Sequence, residues 1–115
     1  MGQRQDITEY IKGETIVIGA LLRTREGAAL DPTPLTLTFI VSEPKTEKKL
    51  VVVPAADIDI VNAPTGAVTI TIPVAAQRNL AAGVVYRYDF WSTSNSNEVL
   101  HQATGQFQLQ RAVGP

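Results

Sequence analysis

"LAAGVVYRYDFWSTSNSNEVLHQATGQFQLQ", Leu80 to Gln110, reads as two strands joined by a polar loop. Tyr86, Tyr88 and Phe90 alternate with Arg87, Asp89 and Trp91, the period of two that a half-buried strand shows. The loop "STSNSN" is built from turn-forming residues, and a long strand from Glu98 to Gln110 follows it. In that strand Val99, Ala103, Phe107 and Leu109 share one parity with His101, and Gln102, Gln106, Gln108 and Gln110 share the other. One face is therefore apolar and one wet. Gly105 marks a bulge or bend. The first strand differs, because large side chains occupy both of its faces.

The same alternation recurs towards the N-terminus. "TIVIGALLR" places Ile16, Ile18, Ala20 and Leu22 on one face, and "LTLTFIV" places Leu35, Leu37, Phe39 and Val41 on one face with Thr36 and Thr38 opposite. "LVVVP", "DIDIV" and "AVTITIP" continue the pattern, with turn signals at "REGAALDPTP" and "NAPTG" between strands. Only "VAAQRNLAAG", Val74 to Gly83, has helix-forming composition, and it is too short for more than one or two turns. About seven short strands without a long helix, in 115 residues, predict a single all-β domain: an antiparallel β-sandwich with one short helical turn. The expected boundaries are an N-terminal arm over 1–12, a sandwich over 13–111 and a tail over 112–115.

Composition narrows the function classes. Hydrophobic residues make up 44% and charged residues 18%, the balance of an ordinary globular domain. Ten basic against eleven acidic residues leave a net charge of -1, and the one locally basic run, "KTEKK", is short and mixed. A nucleic-acid partner is not expected from that distribution. No cysteine is present, which removes disulfides and thiolate chemistry together. No stretch approaches the length of apolar sequence a membrane helix needs, and "MGQRQDITEYIK" lacks the apolar core of a signal peptide. Synthesis in the cytoplasm, with no membrane partner, is the expectation.

The residues form no recognisable catalytic set, and neither a cofactor nor a metal centre is expected. His101 is the sole histidine and has no cysteine or second imidazole to complete a zinc site. It reads as a partly buried strand residue. Asp57 and Asp59 share one face if their segment is a strand, which suits a wet edge pair better than a calcium site, since further oxygen donors are lacking apart from Asn62. The hydroxyls of Ser92, Thr93, Ser94 and Ser96 have no general base within local reach.

Two readings of the outward face of Tyr86 to Trp91 stand side by side. One is a cross-strand ion pair with a tryptophan lying along the surface. The other joins Trp91 and Arg87 to the outward apolar residues Val17, Leu21, Ile40 and Leu100 as a contact surface, tryptophan and arginine being frequent interface anchors. The arm adds Ile7, Tyr10 and Ile11. So few apolar residues do not offset the ordering entropy of such a segment, which predicts an arm that orders against a neighbouring subunit.

"LAAGVVYRYDFW" also resembles the turn-to-strand corner of immunoglobulin-like and fibronectin-like sandwiches. The resemblance places Leu80, Gly83 and Tyr86 at that corner and implies that the Tyr86 hydroxyl anchors the preceding turn. The order of the whole chain is similar to small tailed-phage structural proteins, notably the N-terminal domain of the baseplate upper protein family. The matching phrases are "KGET" (Lys12 to Thr15), the Glu26-Gly27 turn, "LTLTFIV", Thr65 to Ile70, the "G-x-Y-x-Y-D" entry and a closing "G-x-F-x-L". This resemblance implies a non-enzymatic virion component of tail, baseplate or head, a homo-oligomer among other virion structural proteins. The competing class is a free-standing carbohydrate-binding or adhesion module, with Trp91 and Tyr88 stacking on sugar.

Overall fold

A computed structural model describes residues 3–111. Eight strands follow one another: β1 (Gln3–Arg4), β2 (Ile16–Leu21), β3 (Thr36–Ser42), β4 (Lys49–Val53), β5 (Ile58–Asn62), β6 (Ala67–Ile72), β7 (Val85–Thr93) and β8 (Val99–Gln108). They build a five-stranded sheet ordered β1-β8-β7-β3-β4 and a three-stranded sheet ordered β2-β6-β5. Pairing is antiparallel throughout except for the two-residue β1, which runs parallel to β8. The chain is an all-β, immunoglobulin-like β-sandwich.

The alternation explains why these segments are strands. Leu37, Phe39 and Val41 of β3, Val68, Ile70 and Ile72 of β6, and Tyr86, Tyr88 and Phe90 of β7 all point between the sheets and are buried. Phe39 stacks on Tyr88 with ring centroids 5.3 Å apart and meets Phe90 at 6.2 Å. Removing these side chains from water is the main stabilising term. The helix-forming segment after Pro73 yields a single 3-10 turn, Val74–Gln77, because so few residues cannot repay helix nucleation. Gln77, the last residue of the turn, is buried. Its side chain donates to the Glu14 carbonyl at 2.7 Å and accepts from the Gly13 N–H at 3.1 Å, so both ends of the amide are satisfied.

The corner between that turn and β7 is present. Leu80 is buried, Gly83 has a left-handed φ of 80°, and the Tyr86 hydroxyl accepts a hydrogen bond from the Ala81 N–H at 2.8 Å.

Three expectations are corrected. The segment over 1–12, expected as an arm apart from the sandwich, is an edge strand of the large sheet in its described part. Its backbone bonds to β8 from Gln5 to Thr104, from Ile7 to Gln106 and onwards to Gln110, and Ile7 lies in the core at 6% exposure. Apolar burial of Ile7 and the ladder to β8 supply within one chain what a neighbouring subunit was expected to supply. Gly105 is no bulge: it is where the N-terminal strand crosses closest, and a Cβ there would lie 2.2 Å from the Gln5 carbonyl oxygen. The bulge falls instead opposite Phe90 and Trp91, where β8 carries the extra residue Gln102. Asp57 closes a 3-10 turn, Ala55–Asp57, so it does not share a strand face with Asp59. The expected tail over 112–115 lies outside the described residues.

Candidate functional site

The outward face of the large sheet is set by the registers of β3, β7 and β8. Trp91 stands between Thr38 and His101, Asp89 between Ile40 and Thr104, and Arg87 between Ser42 and Gln106. Ile40 in turn pairs with Val52 of β4, an exposed valine. Period two along β7 puts Arg87, Asp89 and Trp91 on one face.

These side chains hold one another. The Arg87 guanidinium donates to both Asp89 oxygens, Nε to Oδ2 at 3.1 Å and Nη2 to Oδ1 at 3.3 Å. His101 Nε2 meets Asp89 Oδ1 at 2.8 Å, and its ring lies against the Trp91 indole with centroids 4.4 Å apart. Asp89 is thus shared by an arginine and a histidine, and the histidine flanks the tryptophan. Arg87 is largely exposed, so its ion pair adds at most about 1 kcal/mol to stability. The chief effect of the cluster is to fix the orientation of the half-buried indole.

The bulge at Gln102 creates this arrangement. Before it, His101 and Trp91 are cross-strand partners on the outer face; after it, Ala103 faces Phe90 on the inner side. The parity that grouped His101 with Ala103 is therefore broken in mid-strand. The Gln102 side chain turns the other way and ties the sheets together: its Oε1 accepts from Arg23 N–H, and its Nε2 donates to the Arg23 carbonyl and to Ser92 Oγ.

Trp91 forms a wall between two surface depressions. One is lined by Ile40, Ser42, Glu47, Lys49, Arg87 and Asp89. The other, at the end of β2, includes Leu21, Arg23, Arg25, Val99, Leu100 and His101. The structure therefore brings Trp91, Arg87 and Ile40 together on one side and Trp91, Leu21 and Val99 on the other. Leu100, expected on the outward face, lines the second depression but pairs with the buried Ser92, so the bulge gives it the inward parity. Val17 lies apart on the outer face of the small sheet. Ile7 is core, Tyr10 packs partly against it, and Ile11 is exposed beside Gln110. His101, Val52 and Val99 belong to this surface although sequence reasoning did not place them there. Val52 was within reach of it, since its neighbours Val51 and Val53 take the buried parity.

Catalytic geometry is not seen here. The His101 imidazole is hydrogen-bonded to Asp89, and no hydroxyl bonds to it among the described residues. Ser94 and Ser96 bond each other at 2.9 Å, and Ser94 caps the Glu98 N–H within the hairpin loop. No three or more His, Cys, Asp or Glu side chains stand together as a metal site among the described residues.

No protein-family model matches the chain, and no curated protein matches it. Among solved structures it is similar to CopC from Methylosinus trichosporium OB3b, at a TM-score of 0.52 and 14% identity, over 96% of this chain and 88% of that one. At such identity the likeness establishes a common β-sandwich fold. This whole-chain likeness to CopC overturns the tailed-phage virion role expected from the sequence. Of the two rings expected to stack on sugar, Tyr88 is in the core, 3% exposed with its ring packed on Phe39, and only Trp91 is at the surface.

Proposed function

We propose that this chain acts by binding another protein through its Trp91 face, with no catalytic step of its own. The observation that carries the reading is the placement of the indole. It is braced by His101, with Ile40 and Val52 towards one side and Val99 towards the other. Tryptophan and arginine contribute most of the binding energy at many protein interfaces, above all where apolar neighbours exclude water around them. An aromatic ring already held in place loses little side-chain entropy on docking. Arg87, Asp89 and Lys49 supply a polar border of both signs.

Trp91 is the sole tryptophan, so its fluorescence reports on this face alone. In the free chain its emission should be quenched readily by acrylamide, and Trp91→Ala should cost no more than about 1 kcal/mol in denaturant unfolding, as a surface substitution does. An unquenched, blue-shifted native emission, or a Trp91→Ala chain that does not fold, would show that the indole serves the core and would end the reading.

A further inference from the structure

The N-terminal segment spans the gap between the two sheets at the β2 edge without filling it. It pairs with β8 of the large sheet, and its Tyr10 hydroxyl donates to the Val17 carbonyl of β2 in the small sheet. Beyond that, the Gln102 side chain of β8 bonds to the N–H and the carbonyl of Arg23, each at 2.9 Å. Between these two ties a cavity of about 130 Å³ opens from the surface towards the core. The exposed residues Asp6, Glu9, Gly19 and Leu21 form its mouth, and the buried Ile70, Tyr88 and Phe90 form its floor.

The walls of this cavity are unfinished core. Ile18 and Ala20 have the inward parity of β2, and Ala103 has that of β8 after the bulge, yet all three are only half-buried. Hydrocarbon seated against them leaves water as a core side chain does. A cavity of about 150 Å³ with apolar walls holds one benzene ring, so the space suits a single ring and little more.

Charge at the mouth has one sign. No lysine, arginine or histidine lines the cavity. Glu9 forms no ion pair among the described residues, and Asp6 has one, to Arg4 at 3.6 Å with both side chains largely exposed. Both tyrosines that line the cavity feel these carboxylates. Burial first, and then Glu9, raises the pKa of Tyr10; burial first, and then Asp6, raises that of Tyr88.

We propose that this cavity binds a small primary amine carrying one apolar ring, with the ring against Ile18, Ala20 and Ala103 and the ammonium at the mouth beside Asp6 and Glu9. An ammonium has three donors to offer the two carboxylates, and a ligand of the same shape with a negative charge is repelled by them. Trp91 does not line the cavity, so the inference is independent of the Trp91 face.

Phenethylamine is the probe. Titrated at neutral pH into the isotope-labelled full chain, it should shift the amide resonances of Gly19, Leu21 and Ala103 saturably and raise the melting temperature with concentration. Phenylethanol keeps the ring without the charge and phenylacetate reverses the charge, so each should bind about tenfold more weakly or worse. Ala20→Leu puts hydrocarbon where the ring would sit and should abolish the shifts. Glu9→Gln, at an exposed position, should weaken phenethylamine about two- to fivefold and leave phenylethanol unaffected. Glu9→Gln and the ligand series decide the question even where Ala20→Leu fails to fold. An absence of saturable shifts at millimolar phenethylamine overturns the proposal. So does phenylacetate binding as tightly as the amine, amine binding that Glu9→Gln does not weaken, or parental affinity in a folded Ala20→Leu chain.

Discussion

The Tyr88 hydroxyl donates a hydrogen bond to the Gln5 carbonyl, 83 positions earlier in the chain. The ring of Tyr88 belongs to the core, stacked on Phe39, while its oxygen reaches out beneath the N-terminal strand. Gly105, the register partner of Tyr88 on β8, leaves the space that the strand crosses. The N-terminal segment is therefore held by a bond from below, a ladder along its side and the absence of one side chain.

Tyr88→Phe should keep the stacking and lose the bond, at a cost of about 1 kcal/mol. Faster exchange of the Gln5 and Ile7 amides, which bond to Thr104 and Gln106 at 2.8 Å each, would locate the loss at the N-terminal strand. The substitution also carries a pH signature. Burial first, and the Asp6 charge second, raise the Tyr88 pKa above its ordinary 10.0. The folded chain thus keeps a proton that the unfolded chain gives up. Stability from this source is complete below pH 10 and falls as pH rises through the folded value. Denaturation midpoints followed from about pH 8 to 11 should decline less steeply for Tyr88→Phe than for the parent chain. Parallel curves would show that Tyr88 titrates alike in both states.

Gly105→Ala should be costly for a reason unrelated to backbone freedom. The new Cβ would lie 2.2 Å from the Gln5 carbonyl oxygen and 3.0 Å from Asp6 Oδ1, so the N-terminal strand must shift. A loss of about 1–3 kcal/mol is expected, as for other overpacked sites. Amide exchange should show Gln5 and Ile7 released while β3 and β7 stay protected. A variant of parental stability with a protected Ile7 amide would mean that the strand does not cross there.

Tyr86→Phe removes the acceptor of the Ala81 N–H at the corner. The expected cost is about 1 kcal/mol, since the ring can stay packed while one partly buried donor is left unpaired. Urea denaturation decides it. An unchanged midpoint would mean that water replaces the hydroxyl without loss and that the corner is held by Leu80 and Gly83 alone.

Side-chain period made the fold legible. Leu37, Phe39 and Val41, or Val68, Ile70 and Ile72, announce the inner face of a strand because successive side chains must point to opposite sides of a pleated sheet. Local chemistry was enough for the corner as well: Leu80, Gly83 and Tyr86 are close in sequence, and the bond from Ala81 to Tyr86 spans five residues.

What escaped the sequence depends on contacts between distant segments. Whether residues near the N-terminus form an arm or a strand is decided by β8, about a hundred positions away, which offers an open ladder and a glycine for Gln5 to pass over. Period counting cannot foresee the bulge at Gln102, because one extra residue reverses the parity of everything before it, and that residue is favoured by its bonds to Arg23 and Ser92. His101 comes to Trp91 and Asp89 only through that reversal. Alternation along each strand is a local property fixed by the backbone, so the sequence by itself determined the sandwich and its buried faces. Register across strands is a competition among long-range contacts, so only the tertiary structure decided which outward residues stand together and where the N-terminal strand lies.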